Sequence, residues 1–177
     1  EVTNIGWREY LEWNKFVFGS TKPELIKALL PDTTVWRDEL AYNEPFIEYY
    51  FSHPAYSFYP VVGVSWDQAN AFCAWRTQYY KASLGNNPVI VEPFRLPTEA
   101  EWEFAALGGI KSMGFRYAGS DSLDEVAWYS KNAKNTTHPR GQKLSNELGI
   151  YDMCGNVFEW CWDWFEKFDC NYMDNPT

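Results

Sequence analysis

Gly149-Ile150-Tyr151-Asp152-Met153-Cys154-Gly155-Asn156-Val157-Phe158-Glu159-Trp160 sets two carboxylates and a Gly-Asn turn inside an otherwise apolar, aromatic segment. Two readings compete for it. In one, Asp152 and Glu159 are solvated acids beside a turn between buried strands. In the other, they supply charged oxygens to a cation, while the tight turn at Gly155-Asn156 bends backbone carbonyls inward to give the oxygen-rich setting that Ca²⁺ prefers. Acid-rich turns are common and few bind metal, so spacing alone leaves both readings open.

Working outward, the 177-residue chain fits a single domain over residues 1–177. Hydrophobic residues make up 46% and aromatic ones 19%, with 10 Trp, 12 Tyr and 12 Phe. A large apolar area can therefore be buried, at roughly 25 cal/mol per Å², and the composition is not that of a disordered chain. The net charge of −9 and the lack of a Lys/Arg cluster argue against nucleic acid, whose backbone is bound by grouped positive charge. No apolar run approaches the ~20 residues needed to cross a bilayer, so membrane association is expected only through an anchor outside this segment. Glu1-Val2-Thr3-Asn4 has neither the basic nor the apolar region of a signal peptide. The segment begins and ends abruptly, which leaves room for a leader, a lipid anchor or a further C-terminal stretch.

Four cysteines, Cys73, Cys154, Cys161 and Cys170, lack Cys-x-x-Cys spacing and allow three fully paired connectivities. Cys73 reads as a core thiol on a helix face, and Cys161 with Cys170 is the pair most open to a disulfide.

Thr3 is placed to cap a helix from about Asn4 to Phe18, with Trp7, Tyr10, Leu11 and Phe18 inward and Arg8, Glu9, Glu12 and Lys15 outward. From Gly19 to Tyr59 the pattern weakens. Pro23 opens a short helix to Leu30, and Pro31-Asp32 and Asn43-Glu44-Pro45 punctuate an aromatic loop. Left free, those aromatics would be stranded in water, so the segment reads as an insertion packed on the body. Pro60-Val61-Val62-Gly63-Val64 reads as β-type. It leads into a capping box, Ser65 with Gln68, whose helix sets Ala69, Phe72, Cys73 and Arg76 on its inner face, Arg76 as a buried charge or a rim position at its end, and gives way to a loop from Lys81 to Pro88. Thr98 with Glu101 repeats the device for a helix that ends at Gly108-Gly109. Beyond it short strands and turns are expected, with Trp128, Tyr129, Trp160, Trp162 and Trp164 as core anchors. The whole is an α+β unit with little regular secondary structure.

Three blocks in this order carry a resemblance: Pro60 to Trp66 with Ala69 to Trp75, Arg95 to Glu103, and Gly149 to Trp160. Together they closely resemble the formylglycine-generating-enzyme, or sulfatase-modifying-factor, family. That resemblance implies a fold related to C-type lectins and spans nearly the whole chain except the insertion at about 19–55. Leu30-Pro31-Asp32-Thr33, Trp36 and Tyr50 to Tyr56 are similar to the gliding-motility lipoproteins of type IX secretion, an envelope scaffold branch. In the family's calcium site, the positions matching Asp152 and Glu159 give side-chain oxygens and those matching Gly155 and Val157 give backbone carbonyls, so the resemblance implies a structural Ca²⁺ at Asp152, Gly155, Val157 and Glu159. Thr136 to Glu147 is short and lacks the acidic, Gly-rich character of the family's other calcium loop.

The family's enzymes oxidise a sulfatase cysteine using O₂ and copper held by two cysteines after an Arg-Gly-Gly-Ser-Trp motif. That C-terminal part of the family domain is not in this chain, none of its cysteines matches the pair, and copper is not expected. His53 and His138 sit in loop-like sequence beside proline, and Glu99, Glu101 and Glu103 lie at a helix start where they serve the dipole. No catalytic residue is assigned. The leading expectation is a non-catalytic scaffold of the periplasmic, outer-membrane-associated or other extracytoplasmic envelope. It would bind a protein partner in an envelope assembly through Trp36, Tyr42, Phe46, Tyr49 and Tyr50, unless these aromatics only cover the core. The alternatives are a formylglycine-generating oxidase seen as a fragment, and a lectin-like glycan binder.

Overall fold

Thr3 receives the Gly6 amide and starts α1, Asn4–Phe18, the helix on which the rest is assembled. The structure is a computed structural model that describes residues 1–19, 21–37, 42–85 and 89–164. Trp7, Tyr10 and Leu11 of α1 are buried with Leu29, Val61 and Trp75, and Trp13, Phe51, Val64 and Phe72 pack around them. Trp7 stacks on Phe72 at 5.2 Å between ring centroids, and its indole nitrogen donates to the Leu29 carbonyl at 3.0 Å. One residue thus supplies apolar area and a satisfied polar handle together.

The helix α2, Pro23–Ala28, with Pro at its first turn, packs against α1. A 3₁₀ turn, Thr33–Trp36, is capped by Asp32. A helix not anticipated in the sequence follows as α3, Glu44–Tyr49, in which Pro45 occupies the first turn where a missing N–H costs nothing. The insertion is bonded to α1 by polar side chains as well as packed on it. Asn4, fully buried, donates to the carbonyls of Tyr50 and Tyr56, each at 3.0 Å. Arg8 does not face water as its spacing suggested. Its guanidinium donates to the Phe51 and Ser52 carbonyls at 2.7 and 3.1 Å and to Ser57 Oγ at 2.6 Å, satisfying loop carbonyls that no sheet receives.

The Pro60–Val64 run forms only one antiparallel bridge, Thr3 with Pro60, and no longer strand. Gly63 has φ +74, and a Cβ there would collide with the Asp32 carbonyl, so the chain must cross without a side chain. Helix α4, Trp66–Ser83, carries both hydrogen bonds of the expected capping box, as does α5, Glu99–Ala106. α4 runs past Lys81 into the residues read as loop, and its deepest side chains are Trp75 and Thr77; Arg76 is exposed, its guanidinium over the Tyr79 ring. The last part holds α6, Leu123–Val126, and two two-residue strands, β1, Ala127–Trp128, and β2, Cys154–Gly155, paired in parallel with Ala127 opposite Cys154. Here the expectation of core tryptophans needs correction. Trp160 and Trp162 are each 50% exposed and Trp164 is 92% exposed, because their segment lies over the starts of α4 and α5 and is not sandwiched between layers. It is fastened there by Trp160 Nε1 to the Val64 carbonyl, Trp66 Nε1 to the Cys161 carbonyl and Trp162 N to the Pro97 carbonyl.

Candidate functional site

The bend at residues 152–159 is built on positive φ angles. Asp152 sits at φ +59, Gly155 at +78 and Asn156 at +61. Gly155 is forced: a Cβ on it would collide with the Trp128 carbonyl across the β1–β2 pair. Asn is among the few residues with a side chain that tolerate this region. It closes the bend, because its amide N donates to the Trp128 carbonyl at 2.8 Å and its Oδ1 accepts the His138 amide at 2.9 Å. Its Nδ2 donates to the Glu1 carboxylate at 3.0 Å and to the His138 carbonyl at 3.1 Å. Asn156 therefore ties the bend to the loop before it and to the first residue of the chain. Its sequence signal was the Gly-Asn pair, read for backbone shape only.

Of the four residues in the expected metal set, Asp152 is buried, and its Oδ2 accepts the Gly141 amide at 2.6 Å. Glu159 Oε2 accepts the Trp102 indole N–H at 2.7 Å, leaving Oε1 3.6 Å from the Glu1 nitrogen. Gly155 and Val157 follow on the backbone between them, and no backbone amide from outside the β1–β2 pair bonds to their carbonyls among the described residues. Both acids lie within electrostatic reach of Glu1. Its carboxyl is pushed up to about 7 by burial, then by the charge of Asp152, with Glu159 adding to the effect and the Asn156 hydrogen bond opposing it. Among the described residues no three His, Cys, Asp or Glu side chains form a metal-binding group. The donors present are two carboxylates, each with one oxygen committed to an N–H, and two carbonyls. This all-oxygen set suits a hard cation such as Ca²⁺ and not a soft one such as Cu(I).

The other chemistry-bearing residues are occupied structurally. His138 stacks on Trp128 at 3.8 Å, and Lys143 Nζ sits 4.1 Å from the Trp128 ring centroid. His53 Nδ1 accepts the Ala55 amide and caps a 3₁₀ turn, Pro54–Tyr56. Glu101 pairs through both oxygens with Arg95, which holds its carboxyl down at about 2. Among the described residues Cys73, Cys154 and Cys161 form no disulfide, and burial pushes the thiols of Cys73 and Cys161 up. Cys170, whose pairing with Cys161 the sequence leaves open, lies outside the described residues. In the insertion, Tyr50 is buried, with Trp36 and Phe46 packed on each other at 5.2 Å; Tyr42 is 86% exposed and Tyr49 also faces out. The expected aromatic surface thus divides into a packed part and an open part.

The model of the sulfatase-modifying factor enzyme 1-like domain matches residues 1–173. The chain belongs to this family. Among its relatives, the "Chaperone protein LppX" of Paenibacillus barcinonensis is 53% identical over 88 residues, 40% of this chain and 31% of its own. A formylglycine-generating enzyme of Streptomyces coelicolor is 34% identical over 67% of this chain and 36% of its own. The "Inactive C-alpha-formylglycine-generating enzyme 2" of Bos taurus is 33% identical over 63% of this chain and 35% of its own. The chain thus spans about a third of the length of these relatives. Among solved structures, the Treponema denticola variable protein 1 superposes with a TM-score of 0.54 at 30% identity, over 68% of this chain and 55% of its own. The family therefore holds members named as enzymes and members named as inactive at the same level of similarity, and membership does not decide catalysis. The mixed fold, short on strands, is that of the family.

Proposed function

We propose that this sulfatase-modifying-factor domain is a non-catalytic, extracytoplasmic interaction module of a cell-envelope assembly, in the manner of the gliding-motility lipoproteins, anchored to the membrane through residues outside this segment if at all. The observation that carries the reading is the state of the insertion. Tyr50 ties it to Asn4 of α1 and to Thr137, Trp36 and Phe46 pack on Tyr50, and Tyr49, on the helix that ends beside Tyr50, and Tyr42 are left exposed. Exposed tyrosines are effective protein contacts because they bring area at small entropic cost. In this reading Ca²⁺ has a structural role: Asp152 and Glu159 supply side-chain oxygen, Gly155 and Val157 supply carbonyls, and the ion fixes the bend.

The test is binding of the envelope partner by the full chain against Tyr42→Ser/Tyr49→Ser. A loss of about tenfold or more with unchanged melting is expected; equal binding removes the insertion from the account. The similarity to the Streptomyces coelicolor enzyme favours a second reading, a formylglycine-generating oxidase. Conversion of a sulfatase cysteine peptide to the aldehyde by the full-length protein with copper and O₂ would establish it in place of the first.

A further inference from the structure

A cleft of about 400 Å³ opens between α1 and α4, with Val2, Ile5, Phe72 and Trp75 as its apolar lining and Arg76 and Arg140 as its cations. The chain as a whole is acidic, at −9, yet neither arginine pairs with a carboxylate among the described residues. The two acids that also line the cleft are engaged elsewhere: Glu1 is held by Asn156 Nδ2, and Glu9 faces the Tyr79 hydroxyl. Trp75, 4% exposed, keeps a buried Nε1 with no hydrogen-bond partner. Val2 and Ile5 remain exposed at the rim.

We propose that this cleft binds a carboxylate carried on an apolar group, the anion gripped by Arg76 and Arg140 and the apolar part laid over Phe72 and Trp75 between Val2 and Ile5. Guanidinium groups match a planar carboxylate bidentately, and an unpaired pair of them on an acidic protein supplies a local attraction that the net charge does not. The apolar lining sets the rest of the ligand, because a bare inorganic anion would leave that surface wet. The volume is at the small end of the ~300–1,000 Å³ typical of ligand sites, so the occupant is about one aromatic or branched residue in size. Either a free aryl or alkyl acid or the last residue of a polypeptide presents this chemistry.

Calorimetric titration of the full chain at low salt tests it, with N-acetylphenylalanine, its amide, inorganic phosphate, and a peptide ending in phenylalanine as probes. The acid is expected to bind about tenfold or more tightly than the amide and phosphate, and to weaken about tenfold in Arg76→Gln and in Arg140→Gln while Arg116→Gln, on a different loop, leaves it unchanged. Because both arginines are exposed, their melting should match the parent. The parent's own affinity should also fall as salt rises, a readout independent of any variant. Tighter binding of the peptide than of the free acid assigns the ligand to a polypeptide terminus; equal binding assigns it to a small molecule. No binding of the acid, equal binding of acid and amide, equal binding of phosphate, or indifference to salt and to both arginine substitutions would overturn the proposal.

Discussion

At the scale of the residue, Asn156 and Tyr50 do the most for the fold. Asn156 combines a left-handed backbone with contacts to β1, to the His138 loop and to Glu1. Asn156→Ala is expected to cost about 2–4 kcal/mol in urea unfolding, since it removes several part-buried hydrogen bonds and strains the backbone; Asn156→Gly should recover only the backbone share. Tyr50 buries its ring and donates its hydroxyl to the Pro60 carbonyl at 2.7 Å, with Thr137 Oγ1 at 2.9 Å. Burial holds this hydroxyl well above the ordinary tyrosine pKa, against a smaller opposing effect of the Thr137 hydrogen bond. The folded group therefore keeps its proton more tightly than the unfolded one. Its contribution is intact below about pH 10 and is lost as the pH rises further. Tyr50→Phe should cost about 1–2 kcal/mol at neutral pH and make the alkaline fall in stability shallower; an unchanged alkaline limb would show that the hydroxyl is not buried.

At the scale of the element, the two capping boxes show what was legible in the sequence. Ser65 with Gln68 and Thr98 with Glu101 act within one turn, so their pattern predicts α4 and α5 without reference to the rest of the chain. Thr98→Ala should lower stability by about 1 kcal/mol, measured by thermal melting. Gly155→Ala belongs at this scale too, because it would part β2 from β1. A cost above about 2 kcal/mol is expected, from a collision with backbone that cannot move aside. The bend's acids and its Gly-Asn turn were legible for the same local reason. What was not legible depends on distant partners. Arg8 looks like an outer helix position until residues 51–57 are brought against it, and Asn156 looks like a turn residue until residues 1, 128 and 138 surround it. Trp160, Trp162 and Trp164 have core composition, but their exposure depends on what lies over them, which composition does not encode.

At the scale of the whole molecule, short helices and loops are joined by side chains that stand in for sheet. Asn4, Arg8, Tyr50 and Asn156 each satisfy backbone groups that a β-sheet would otherwise pair. Such a body can hold surface aromatics and a shallow charged cleft in fixed positions, as an interaction module requires. In the proposed reading a Ca²⁺ ion adds to the closure that Asn156 already gives the bend at residues 152–159. The direct measurement is thermal melting of the full chain in Ca²⁺ and in chelator. At about a hundredfold excess over the dissociation constant, binding to the folded state alone adds about 2.7 kcal/mol, or roughly 5–10 °C for a chain of this size. That rise is expected in the parent and its loss in Glu159→Gln; the same melting temperature with Ca²⁺ and with chelator, or a rise that survives Glu159→Gln, would contradict a calcium-fixed bend.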